Sequence, residues 1–367
     1  MKNSFGVSIS VTLFGESHGE MIGAVIDGIA PGVKVDRDFI NMKLSKRRPR
    51  GRIATARVEA DEYSIVSGEF MGYTTGTPLT ILIPNTQKRS GDYKSLANTP
   101  RPGHADYTAE CKYHGFQDPR GGGHFSGRIT AALVAAGAIL ESALNSKGIE
   151  IGTHVKSIHG VAERTFSDIK EDIAYLSKRE FPALDESVAE KMINEAEAAA
   201  EVGDSVGGVL ETAIIGVPAG VGEPWFDSVE SMLSHVLFSV PAVKGVEFGR
   251  GFEMAELYGS EANDSPAVRD GKVVTLTNSN GGINGGITNG MPIIFRCAIK
   301  PTPSIYKEQD TVDLASMTNT KIAIAGRHDP CIVQRAAAVI DAVAAIVIAD
   351  LVAQRYGTDY LANSANK

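Results

Sequence analysis

The chain repeats itself, and the repeat limits what it can fold into. The run Glu16 to Val33 aligns without a gap on Asp204 to Val221. Each copy reads as a strand, a Gly/Pro turn and then a helix, with Asp36 and Asp227 as expected N-caps and Asp227 with Glu230 as an expected capping box. A second pair follows: Thr75-Gly76-Thr77-Pro78 leads into a strand over Leu79 to Ile83, and Asn289-Gly290-Met291-Pro292 into one over Ile293 to Ile299. In a third, Arg128 opens the Ala-rich run Ile129 to Leu144, and Arg335 opens Ala336 to Val352. Three matches in one order predict an internal pseudo-twofold duplication inside a single domain. The copies are expected over about 5–150 and 200–355, with a helical excursion at 165–203.

Each half mixes strands and helices, and its Gly-rich punctuation fits antiparallel sheets better than a regular βαβ series. The expected class is therefore α+β, with sheets packed on buried helices. The two Ala-rich helices are apolar nearly all round and belong at the centre. The segment Asp168 to Glu201, rich in Glu, Lys and Ala, predicts a surface excursion with one amphipathic helix ending at Gly203.

A net charge of −8 argues against general nucleic-acid binding but leaves room for a basic pocket. Cys111, Cys297 and Cys331 lie far apart, which supports neither a disulfide framework nor a thiolate zinc site and fits a cytoplasmic location. Ser8, Ser10 and Thr12 interrupt any signal-peptide core, so no such peptide is expected. The apolar stretch from Ala336 to Ala353 contains Asp341 and Asp350, and so reads as a buried helix, not a membrane span.

The chemistry-bearing residues cluster at turns. Val7, Ile9, Val11 and Leu13 alternate as one face of a strand that ends in Gly15-Glu16-Ser17-His18-Gly19. His18 aligns with Val206 in the second copy, so the scaffold does not require an imidazole there. Lys46-Arg47-Arg48-Pro49-Arg50-Gly51-Arg52 is either a solvated basic loop or an anion clamp, with Arg89 and Arg101 able to add to its field. His104 sits on the loop Arg101-Pro102-Gly103-His104-Ala105-Asp106. Gly121-Gly122-Gly123 precedes a helix and is either a phosphate-binding backbone or a plain connector. Pro241-Ala242-Val243-Lys244-Gly245, the glycine loop Gly281-Gly282-Ile283-Asn284-Gly285-Gly286, Lys300-Pro301-Thr302-Pro303-Ser304 and Gly326-Arg327-His328-Asp329-Pro330 complete the set. Asp329 and Pro330 read as the N-cap and first residue of the last helix. Neither a Walker A nor a GxGxxG pattern occurs.

Taken in order from Ser10 to about Arg355, these motifs resemble the chorismate synthase family. The resemblance implies a β-α sandwich, usually a homotetramer. It implies a phospholyase that converts 5-enolpyruvylshikimate 3-phosphate to chorismate and phosphate by anti 1,4-elimination, in the shikimate pathway of aromatic amino acid biosynthesis. Reduced FMN is the implied cofactor, with no net redox change and NADPH as a candidate reductant. A small phosphorylated acid is then the partner, with neither nucleic acid nor membrane.

By the same resemblance, His18 and His104 match the family's acid/base histidines, and Asp329 the acid that works with flavin N5 in removing the ring proton. Ser17, Arg47, Arg52, Arg101 and Arg128 match positions that bind the anionic substrate or a nucleotide. Flavin contacts carry over to His124, Phe125, Ser126, Pro241, Ala242, Gly285, Lys300, Pro301, Thr302, Pro303, Ser304 and Arg327. Two of these depart from the common pattern: His124 stands where many members carry Arg, and Pro241 replaces a frequent Asn. Two rival readings compete. A metal-dependent hydrolase could draw on His18, His104, Asp106, His124 and Asp329, but no tight ligand spacing supports it. A flavin- or nucleotide-binding regulatory module explains the glycine loops but not the paired histidines and the arginines.

Overall fold

The computed structural model describes residues 2–54, 60–86, 98–324, 326 and 328–362. Its first half supplies strands β1 (Ser4–Phe5), β2 (Ser10–Gly15), β3 (Met21–Asp27), β4 (Ser64–Ser67), β5 (Glu69–Phe70), β6 (Tyr73–Thr74) and β7 (Leu79–Pro84). Its second half supplies β8 (Glu150–Ile158), β9 (Val161–Ala162), β10 (Gly208–Ile215), β11 (Val243–Phe248), β12 (Pro266–Arg269), β13 (Lys272–Thr275), β14 (Ile283–Asn284), β15 (Ile287–Thr288), β16 (Ile293–Ile299), β17 (Gln309–Asp313) and β18 (Thr318–Ile322). The helices are α1 (Arg37–Arg47), α2 (Asp106–Tyr113), α3 (Thr130–Asn145), α4 (Ile169–Ser177), α5 (Glu186–Glu201), α6 (Val229–Leu237), α7 (Gly259–Ala262) and α8 (Val333–Tyr356).

Ten of these strands form two five-stranded antiparallel sheets, in the orders β1-β2-β3-β7-β4 and β9-β8-β10-β16-β11. Period-two alternation fixes the register in both. Ile22, Ala24 and Ile26 of β3 stand opposite Ile83, Ile81 and Leu79 of β7, all buried on one face. Leu210, Thr212 and Ile214 of β10 stand opposite Cys297, Phe295 and Ile293 of β16 in the same way. Helix α3 packs on the first sheet and α8 on the second, the two helices pack on each other, and α1 and α6 pack beside them. The result is an α+β sandwich with helices between antiparallel sheets. In each half a central strand (β3 or β10) is followed by a helix (α1 or α6), an edge strand (β4 or β11), the partner strand (β7 or β16) and a long core helix (α3 or α8).

Small residues let the core helices touch. A Cβ on Gly137 of α3 would lie 2.5 Å from the Ala342 Cβ of α8, so any larger residue would force the helices apart. Lys43 of α1 lies between Glu141 of α3 and Asp341 of α8 and ties the three helices together. The helical stretch Gly127–Asn145, α3 with the short turn before it, and α8 are long and apolar enough to cross a membrane, yet 78% and 94% of their apolar windows are buried inside the molecule, as a core requires.

Several local expectations change. The strand expected from Val7 begins only at Ser10 (β2), because the Asp350 carboxylate accepts hydrogen bonds from the amides of Val7, Ser8 and Ile9 and withdraws them from pairing. Asp36 caps α1 as expected, but Ser228 caps α6 in place of Asp227. Helix α8 starts at Val333, so neither Asp329 nor Pro330 belongs to its first turn. The 165–203 excursion holds two helices, α4 and α5, the second running to Glu201 just ahead of Gly203.

Candidate active site

The turn between β2 and β3 carries His18, buried to 4% exposure with Nδ1 3.0 Å from Ser17 Oγ. Asn85, just past β7, donates to the carbonyls of Glu16 and Gly19 at 2.9 and 3.0 Å and fixes that turn. The glycine run packs directly on the imidazole: a Cβ on Gly121 would lie 2.4 Å from His18 Cε1. Two short helical turns separate the run from α3, which begins only at Thr130. Close packing on His18, not a helix N-terminus, therefore accounts for Gly121.

The loop before α2 carries Arg101 and His104. Asp106 Oδ1 lies 2.6 Å from His104 Nδ1, and both Asp106 oxygens accept from Arg101, at 2.7 and 2.8 Å. The carboxylate fixes one tautomer and leaves His104 Nε2 for proton exchange. Burial would raise the Asp106 pKa, but the Arg101 and His104 hydrogen bonds outweigh it and hold the carboxyl well below the usual range. Arg101 also donates to the Gly121 carbonyl at 2.8 Å, so one glycine touches both histidine loops.

Asp329 pairs with Arg335 in the first turn of α8, and Arg335 Nε donates to the Arg47 carbonyl at 2.9 Å. Arg128 lies in the short turn before α3, and Arg335 in the first turn of α8. Arg128 donates to Asn85 at 3.1 Å and pairs with Asp61. Arg47, at the end of α1, is only 2% exposed. It donates to Asp61 at 2.9 Å, to Thr130 Oγ1 at 3.1 Å and to the Gly127 carbonyl at 3.1 Å. It is built into the cavity wall, not extended from it.

The second half closes the other side. Lys300 donates to the Gly103 carbonyl at 2.5 Å, which seats the 300–304 strip on the His104 loop. Burial, with the nearby Lys244 charge, lowers the Lys300 pKa. Ala242 has φ +77°, a strained conformation for a residue with a Cβ. Thr302 Oγ1 is buried with no hydrogen-bond partner among the described residues. His124 Nδ1 donates to the Gly15 carbonyl at 2.7 Å, which ties it to the His18 turn.

These groups line one cavity of about 1480 Å³. It gathers His18, His104, Asp329, Arg47, Arg101, Arg128, His124, Phe125, Ser126, Pro241, Ala242, Lys300, Thr302, Pro303 and Ser304. Ser17 and Pro301 stand next to lining residues. Two expected residues lie elsewhere. Arg52 is held outside by Glu190 and Glu197, two turns apart on α5. Gly285 lies in the turn between β14 and β15, away from the cavity lining. Arg327 and Arg89 fall outside the described residues. Among the described residues, no three His, Cys, Asp or Glu side chains form a group able to hold a metal ion.

Sequence reasoning missed Asp61, Asn85 and Arg335 as parts of this site, and used Asp106 only in the hydrolase reading. Asp106 was within reach, two residues from His104. Asp61 was not, because its partners are remote in the chain.

Comparison with known proteins identifies the family. The family model described as chorismate synthase matches residues 9–353. A chorismate synthase of Pyrococcus abyssi is 49% identical over 345 residues, covering 94% of this chain and 96% of that protein. One from Thermococcus gammatolerans is 47% identical over 350 residues, covering 95% and 97%. A crystal structure of chorismate synthase superposes with a TM-score of 0.75 at 28% identity, covering 96% of this chain and 94% of that one. The chain belongs to the chorismate synthase family.

Proposed function

We propose that this enzyme eliminates phosphate from 5-enolpyruvylshikimate 3-phosphate to give chorismate, the last common step of aromatic amino acid biosynthesis. In this anti 1,4-elimination a ring C–H bond and the C–O bond to phosphate break, and a second ring double bond forms. The observation that carries the reading is the convergence of His18, His104, Asp329 and four arginines on one cavity. Phosphate departure builds negative charge on the leaving oxygens, and guanidinium groups fixed in a partly buried wall stabilise it. Arg101, Arg128 and Arg335 fill that role, while Arg47 braces them. His104, oriented by Asp106, gives a proton to the departing phosphate. His18 presents a second proton-exchange site, and Asp329 receives the ring proton.

Reduced FMN fits the residues present. The cavity has room for a tricyclic cofactor beside a six-membered ring acid, and the unpartnered Thr302 hydroxyl offers it a hydrogen bond. His124, Phe125, Ser126, Pro241, Ala242 and the strip Lys300 to Ser304 would hold it. When bound, reduced FMN supplies electron density that eases loss of phosphate without net redox change. NADPH as its reductant, a cytoplasmic location and a homotetramer belong to the same reading, and exposed Trp225, Phe226 and Phe252 support an assembly. We also infer pseudo-repeats over about 5–150 and 200–355, with β8 (Glu150–Ile158) as an outlying strand of the second.

The test is an anaerobic assay with chemically reduced FMN, repeated with oxidised FMN plus NADPH. Chorismate and phosphate should appear in equal amounts with reduced FMN. Flavin binding without phosphate release would favour a binding module, and activity abolished by a chelator would favour a metal hydrolase.

A further inference from the structure

Asp61 is a buried acid that the reaction above does not use. Its side chain is fully enclosed. One oxygen accepts from Arg47 Nη1 at 2.9 Å, and the other pairs with Arg128 Nη1. Arg48 Nε stands 3.7 Å from the first oxygen. One carboxylate therefore faces three guanidinium groups, from the end of α1 and the turn that opens α3. Its backbone is held at φ +48°, a left-handed conformation that Asp tolerates better than most residues but still at a cost.

That arrangement does two things. It fixes the spacing of Arg47 and Arg128, both on the cavity wall, because each carboxylate oxygen takes one of them. It also cancels one positive charge next to where an anion must arrive and a second anion must leave. Each further net positive charge on that wall would hold inorganic phosphate more firmly, and product release would suffer. We propose that Asp61 is a positioning residue for the elimination: its buried carboxylate sets Arg47 and Arg128 in place and limits the positive charge that the departing phosphate meets. The proposal rests on the phospholyase reading of the cavity.

The experiment replaces the carboxylate in the full chain by Asp61→Asn, which keeps shape and one acceptor, and by Asp61→Glu, which keeps charge but displaces it. Turnover with reduced FMN, KM, and binding of inorganic phosphate by calorimetry are measured at low and high salt, with thermal melting as a check on folding. For Asp61→Asn, kcat should fall at least about tenfold while KM does not rise. Phosphate should bind about tenfold more tightly, a gain that shrinks at high salt. For Asp61→Glu, phosphate affinity should stay within about twofold of wild type while kcat falls. Should Asp61→Asn fail to fold, Asp61→Glu decides. Unchanged kcat in a folded variant, or a uniform loss of active protein with KM and phosphate affinity unaltered, would overturn the proposal. If the unaltered protein shows no turnover at all, the phospholyase reading fails instead, and the calorimetry still reports on the charge at residue 61.

Discussion

His104 and Asp106 stand two residues apart, and the turn between them brings Nδ1 of one to 2.6 Å from Oδ1 of the other. The imidazole is thereby set in orientation and tautomer before any ligand arrives, and the same carboxylate anchors Arg101. Asp106→Asn should lower kcat by about tenfold to a hundredfold, with a smaller effect on flavin affinity, since general acid–base groups contribute on the order of a hundredfold or more. Steady-state kinetics beside a flavin titration checks this, and a wild-type kcat would remove Asp106 from the mechanism.

Gly121→Ala places a methyl group against the His18 ring on backbone at φ +65°. The imidazole or the loop must shift, so turnover should drop by about tenfold or more, and the strained backbone should lower the melting temperature. Crystallography of the variant should show the His18 ring displaced; an unmoved ring with full activity would contradict the packing role.

The contact between α3 and α8 is a test of the core. Gly137→Val overfills the crossing beside Ala342 and should destabilise the fold by about 1–3 kcal/mol or more. Denaturant melts measure it, and a variant as stable as the parent would mean that the helices are not in close contact there.

A buried histidine gives a pH prediction away from the site. His154 of β8 lies between Glu163 and Glu211, at 2.5 and 3.1 Å, and Glu211 also accepts from the Phe166 amide, where the helical excursion begins. Burial alone would lower the His154 pKa, but the two carboxylates outweigh it and hold it above the usual imidazole value. A raised folded-state pKa contributes stability that is complete below the ordinary value of about 6.5 and is lost as pH rises through the raised one. Glu211 works oppositely. Burial would raise its pKa, yet the His154 hydrogen bond and charge lower it, so its contribution is lost on acidification. The melting temperature should therefore fall as pH rises above neutral, and His154→Gln should flatten that fall. Equal slopes for both proteins would show that His154 is not charged in the native state.

The fold was legible where turns and apolar runs are sharply marked. Gly/Pro turns ahead of Leu79 and Ile293 mark the starts of β7 and β16, and the Ala-rich runs after Arg128 and Arg335 mark α3 and α8. Local competition was harder to read. Asp227 and Ser228 are both good caps, and only the backbone path selects Ser228. Val7 has strand character, but Asp350, far along the chain, takes its amide. The histidine motifs pointed to the cavity because each is short and self-contained. The arginines were ambiguous because a guanidinium goes to the nearest acid. Glu190 and Glu197 keep Arg52 on the surface, and Asp61 pulls Arg47 into the wall. No pattern in a single chain reveals such remote pairs.

Phosphate release under reduced FMN by the parent and by His18→Ala, His104→Ala and Asp329→Asn, each beside a flavin titration, asks whether these groups act together in one cavity. Each variant should lose about a hundredfold or more in kcat while binding FMN within about threefold of the parent. Turnover like the parent's in any of the three would contradict a shared catalytic cavity.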